Sequence, residues 1–129
     1  MAKMTELKER ELRERQGCLT DCLAYYFNIH PMKVPLFVRP ETERHFVWRY
    51  LMEDWLNLRG FESKYIKRKT VPKRGMYLAV GNSTKYKRCT HCVVYVNGKL
   101  VFDPQFPSAW NDSRVTHYLR ITRIENEQS

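Results

Sequence analysis

The apolar periodicity of this chain changes at Gly60, and that change constrains the fold more than any single motif. Before it, apolar side chains recur every three or four residues; after it, short β-branched and aromatic runs are separated by Gly, Pro and Asn. The stretch CLTDCLAYYFNI, residues 18–29, places Leu19, Cys22, Leu23, Tyr26 and Phe27 at helical spacing, with Asn28 as an end signal before His30-Pro31. Pro35 and Pro40 punctuate a loop that holds Leu36, Phe37 and Val38. ETERHFVWRYLMEDWLNLRG then opens on acids and closes at Gly60, which predicts one long helix with Val47, Leu51, Trp55 and Leu58 as its apolar stripe. Strands are predicted over 61–66, 75–80, 91–96 and 100–102, with a last one through 118–124. Helices followed by strands make an α+β layout, with N-terminal helices packed on an antiparallel sheet rather than a doubly wound one.

A chain of 129 residues fits one domain, placed here at 17–129. The preceding 1–16 alternate acidic and basic side chains around Leu7 and Leu12, the pattern of a charged arm or solvated helix. A hydrophobic fraction of 43% argues against a wholly disordered chain. No apolar run approaches the roughly 20 residues of a membrane span, and no secretory leader is visible. These features predict a cytoplasmic protein without a membrane partner.

The net charge is +9, and nine basic residues with no acidic one fall between Lys64 and Arg88. Such a segment can attract nucleic acid or an acidic partner, or serve as a solvated rim. No recognised nucleic-acid motif accompanies it.

Four cysteines are present: Cys18, Cys22, Cys89 and Cys92. In a reducing compartment they are read as packing thiols, metal ligands or a nucleophile. Cys18 opens the first predicted helix, where unpaired N–H groups and the helix dipole favour a thiolate. His91 begins the strand THCVVYV, where an imidazole can take and return a proton. Asp103, in VFDP, would fix its tautomer. The hairpin between these two residues provides a geometric condition. A three-residue loop with Gly98 left-handed in a bulge sets His91 directly opposite Asp103, and this is the expected form; a two-residue Asn97-Gly98 turn without a compensating bulge sends Asp103 to the other face.

CLTDCLAYYFNIHPMKVPLFV resembles the nucleophile helix and Val-Pro segment of small papain-like cysteine peptidases related to the bacteriocin-leader-processing (double-glycine) enzymes. MYLAVGNS, HCVVYVNGKLVFDP and QFPS are similar to that family's sheet, and the resemblance runs from about Gln16 to Ser108. It implies a papain-like α+β fold and a Cys-His-Asp triad of Cys18, His91 and Asp103, acting in acyl transfer on a peptide or protein without a cofactor. The family's oxyanion glutamine lies six residues before the nucleophile, whereas Gln16 is six before Cys22. Glutamine spacing therefore favours Cys22 as nucleophile, and helix length favours Cys18. Small size and the polar arm fit a phage-encoded or bacterial accessory protein.

A different reading makes Cys18, Cys22, Cys89 and Cys92 a structural zinc set within a non-catalytic binding protein. Of the rest, His30, His45 and His117 lack acidic or cysteine neighbours at ligand spacing and are assigned to surface or packing. Trp48 and Trp55 are assigned to the core, and Trp110 to a substrate cleft or to packing. Asp21, one turn along the nucleophile helix, is a departure from the family's small residues.

Overall fold

The structure is a computed structural model, and it describes residues 17–84, 90–105 and 110–125. The 1–16 arm, Gln16 and Cys89 lie outside the described residues, as do Lys85, Lys87 and Arg88 of the basic segment. The chain is mixed α+β: helix α1 (Cys18–Phe27), helix α2 (Val47–Leu58) and an antiparallel sheet of β1 (Phe61–Lys67), β2 (Met76–Asn82), β3 (Thr90–Val96), β4 (Lys99–Phe102) and β5 (Val115–Arg123). Its strand order is β1-β5-β2-β3-β4. All five expected strands form, as does the switch from helix to strand at Gly60.

α1 ends where Asn28 enters the left-handed region at φ 54°, its N–H bonding back to the carbonyls of Ala24 and Tyr25. Its buried face is Cys18, Leu19, Cys22 and Leu23, and it packs on β3. The Thr20 hydroxyl donates to the Pro35 carbonyl at 2.5 Å, which ties the Val-Pro segment, with Val34 and Phe37 buried, to the same helix.

The long helix predicted from Glu41 to Gly60 is corrected. A helical turn at Pro40–Glu43 and a 3-10 turn at Arg44–Phe46 precede α2, and His45 and Phe46 both have positive φ, which breaks the helix between them and Val47. The stripe differs as well, because α2 presents a neighbouring face to the core. Met52 and Leu56 are buried with Trp48 and Trp55 packed beside them, while Val47 and Leu51 are exposed and Leu58 is 89% exposed. Trp55 belongs to both stripes; partly burying Trp48 in place of Val47 brings in more apolar area. Glu53 further sets the rotation of α2 by accepting from the Ser63 N–H at 2.9 Å and its hydroxyl at 2.5 Å on β1.

Each sheet face carries its own core. The helix side holds Leu78, Val80, Cys92, Val94, Leu119 and Ile121 against α1 and α2. The opposite face gathers Tyr77, Ala79, Val93, Val115 and Tyr118, with Tyr95 and Trp110 alongside. Gly81 sits at the β2–β5 register shift; an added Cβ there would lie 2.6 Å from the Arg114 carbonyl oxygen and 3.2 Å from the Trp110 ring. Only glycine permits that approach, which brings Trp110 over the end of β3. Among the described residues no helix is long and apolar enough to cross a membrane.

Candidate functional site

Asn97 and Gly98 have φ of 50° and 82°, and Val96 pairs with Lys99, so the β3–β4 hairpin is the two-residue turn rather than the expected three-residue loop. A bulge compensates. Tyr95 pairs with Leu100 but Val94 pairs with Phe102, leaving Val101 as the extra residue and advancing β4 by one. That slip returns Asp103 to the face of His91 by another route than the one foreseen. His91 Nε2 and Asp103 Oδ1 are 2.7 Å apart. The same carboxylate oxygen accepts from the Gln105 N–H at 3.0 Å, a backbone partner that no side-chain pattern announces.

His91 is 1% exposed. It pairs with Gly81 and alternates with Cys92, so it belongs to the face of Val93 and Trp110, whose ring centroid lies 6.1 Å from the imidazole. The Trp110 Nε1–H donates to Asp112 at 2.7 Å and to the Tyr95 hydroxyl at 3.1 Å, which fixes the indole beside the His91 ring. Tyr95 also bonds to Asp112; burial and then that carboxylate push the Tyr95 phenol up.

Cys18 approaches β3 from the helix side. Gly17 at the N-cap has no side chain to offer the first turn, so among the described residues no side chain caps the amino-terminal N–H groups of α1. The Cys18 thiol donates to the Thr90 carbonyl at 3.5 Å, and one turn later the Cys22 thiol donates to the Cys92 carbonyl at 3.2 Å. The match is geometric: four helical residues rise about 6 Å and two strand residues about 6.6 Å. β4 pairs only with Val94–Val96, and the two thiols take carbonyls of β3 beyond it. The structure thus brings His91 and Asp103 into contact and places Cys18 on the carbonyl of the residue before His91. Among the described residues no hydrogen bond joins Cys18 to His91.

The thiolate expected at Cys18 is corrected. Burial pushes the Cys18 thiol up, and the neighbouring Cys92 adds to the rise, while the N–H groups of Cys92 and Leu19 oppose it without overcoming it. Desolvation of a sulfur this deeply set outweighs the helix terminus. Cys22 is pushed up too, by burial and then by the Cys92 thiol, and it is fully buried. Cys18, in contrast, lines a cavity of about 240 Å³ with Leu19, Val38, Trp48, Thr90 and Cys92 among its walls. Trp48 was legible as core and Val38 as loop; that both line this cavity depends on the break before α2.

Among the described residues no group of three His, Cys, Asp or Glu side chains is arranged to hold a metal ion, and Cys18 and Cys22 turn to backbone carbonyls instead. Cys89, the remaining member of the zinc set, lies outside the described residues. His30 accepts from the Met32 N–H at 3.0 Å and caps a 3-10 turn. Asp21 is half-buried and lines a groove with Tyr25 and Phe102. Lys64, Lys67, Arg68, Lys69, Lys73 and Arg74 are exposed on edge strand β1 and the turn that follows it.

His117 lies elsewhere, stacked on Tyr65 at 4.5 Å with its Nδ1 3.0 Å from the Thr116 hydroxyl. Burial and then Arg49 push it from 6.5 down to about 4. Folded His117 stays neutral until about pH 4, whereas in the unfolded chain it takes up a proton near 6.5. Between those values the unfolded state binds more protons, so stability falls as the pH drops from 6.5 towards 4. Urea midpoints are therefore expected to decline more steeply between pH 7 and pH 5 in the wild type than in His117→Gln. Parallel declines would remove His117 from the acid response.

No protein-family profile, curated protein or solved structure matches this chain.

Proposed function

We propose that this chain is a papain-like cysteine acyl-transfer enzyme acting on a peptide or protein, with Cys18 as nucleophile, His91 as acid-base and Asp103 as the group that holds the imidazole. The observation that carries this reading is the 2.7 Å pair of the buried His91 with the half-buried Asp103, set one residue beyond the carbonyl that holds the Cys18 thiol at a cavity wall. Asp103 engages Nε2, which leaves Nδ1 as the ring nitrogen for the thiol. The resting thiol is neutral, so attack is coupled to proton transfer. In this scheme the Cys18 sulfhydryl must leave the Thr90 carbonyl and come round the end of β3 to the face of His91, where it gives its proton to Nδ1 as sulfur bonds to the substrate carbonyl carbon. The carbonyl electron pair moves to oxygen beside the amino-terminal N–H groups of α1. Collapse of that adduct breaks the bond to the leaving group, which takes the proton from His91 and leaves a Cys18 thioester. Water or an amine, deprotonated by His91, then releases the acyl group and restores the thiol. Cys22, wholly buried on a carbonyl of its own, serves packing in this scheme.

Incubation with p-nitrophenyl acetate tests the assignment. An acetyl adduct is expected on Cys18 by peptide mass mapping, with release of p-nitrophenol above the Cys18→Ala background. Acetylation confined to other residues, or release equal in Cys18→Ala, overturns it. The second reading, a non-catalytic binding protein, draws on the neutral resting thiol and the exposed cations from Lys64 to Arg74. It predicts salt-dependent binding of nucleic acid or an acidic protein that Cys18→Ala leaves unchanged.

A further inference from the structure

We propose that the cavity beside Cys18 selects acyl donors by a bulky apolar group on the acyl side of the bond attacked; this rests on the acyl-transfer reading and names its substrate class. The Cys18 wall continues into the side chains of Leu19, Val38, Trp48, Val80 and Leu119. These are apolar, and they come from α1, the Val-Pro loop, α2, β2 and β5, so the cavity is built by the whole helix-side core rather than by one mobile loop. About 240 Å³ corresponds to roughly eight water volumes at about 30 Å³ each, enough for a leucine, methionine or phenylalanine side chain. Cys92 and Thr90 close the end next to the thiol. Glu43 is the charged residue among those lining the cavity, and its carboxylate works against an acidic group.

A group entering this space leaves water for an apolar lining while its carbonyl stays beside the sulfur. Burial at about 0.8 kcal/mol per methylene corresponds to about a fourfold gain for each methylene that fits. Because the chain lies against the walls during attack as well as in the bound complex, the gain appears in kcat/KM.

The test compares p-nitrophenyl acetate, butyrate and hexanoate as acylating probes of the wild-type protein, each corrected for the Cys18→Ala background. Rates of Cys18 acylation are expected to rise about fourfold per methylene, roughly 10²-fold from acetate to hexanoate when all four methylenes enter. Val38→Trp, which fills the cavity from its rim, is expected to bring the hexanoate rate down to the acetate rate. Trp48→Ala, which widens it, is expected to extend the preference to octanoate. Acylation of Cys18 at equal rates by all three esters overturns the cavity assignment and leaves the acyl-transfer reading standing. A chain-length preference unchanged in both folded variants also overturns it, by moving the preference to another surface. Failure of every ester to acylate Cys18 overturns the acyl-transfer reading and this inference with it.

Discussion

His91→Ala is expected to slow acylation of Cys18 by roughly 10²- to 10⁴-fold, the usual contribution of a positioned acid-base group. The neutral resting thiol makes the dependence strong. A preformed thiolate would keep part of its reactivity without the imidazole, whereas a thiol raised by burial must lose its proton during attack. Asp103→Ala is expected to lower the rate as well, because it frees the ring that the 2.7 Å contact now holds. The double variant should be little worse than His91→Ala alone, since the two residues act as a unit. p-Nitrophenol release in the first turnover measures the effect, and near-ultraviolet circular dichroism separates it from misfolding. Folded His91→Ala with an undiminished rate would show that the pair is architectural.

Leu23→Ala is expected to destabilise the fold by about 2–5 kcal/mol. Leu23 is 0% exposed in the helix-side core, on the same helix as both thiols. Its truncation removes contacts to the sheet that neighbouring groups cannot refill, because Cys18 and Cys22, both just before it in the helix, are tethered to β3 carbonyls. Domains of this size are stable by about 5–15 kcal/mol, so the loss is a large share of the total. Urea denaturation followed by tryptophan fluorescence measures it. A change below about 1 kcal/mol would mean that α1 closes onto β3 without strain, and that the thiol–carbonyl bonds do not fix its position.

Elements with a strong local signal were legible in the residues. α1 could be read from its apolar spacing and from Asn28, and the strands from their β-branched runs. His91 and Asp103 could be paired in advance because two strands joined by a short hairpin allow few registers. The route was not legible. An Asn-Gly turn and a bulge at Val101 together reach the shared face that the bulged loop was expected to supply. A bulge is decided by how β4 meets the rest of the structure, and Val101 carries no mark of it.

The amino-acid sequence by itself determined the order of helices and strands, the apolar faces of α1 and β2, and the chemical types available at the end of β3. Those follow from local periodicity, which each segment carries alone. Tertiary structure alone decided the rotation of α2, the cavity beside Cys18 and the protonation of its thiol. Trp48 and the Glu53–Ser63 bonds turned α2 away from its Val47, Leu51 and Leu58 side, and burial between helix and sheet outweighed the helix terminus at Cys18. Packing and desolvation depend on every neighbour at once, so no window of sequence contains them.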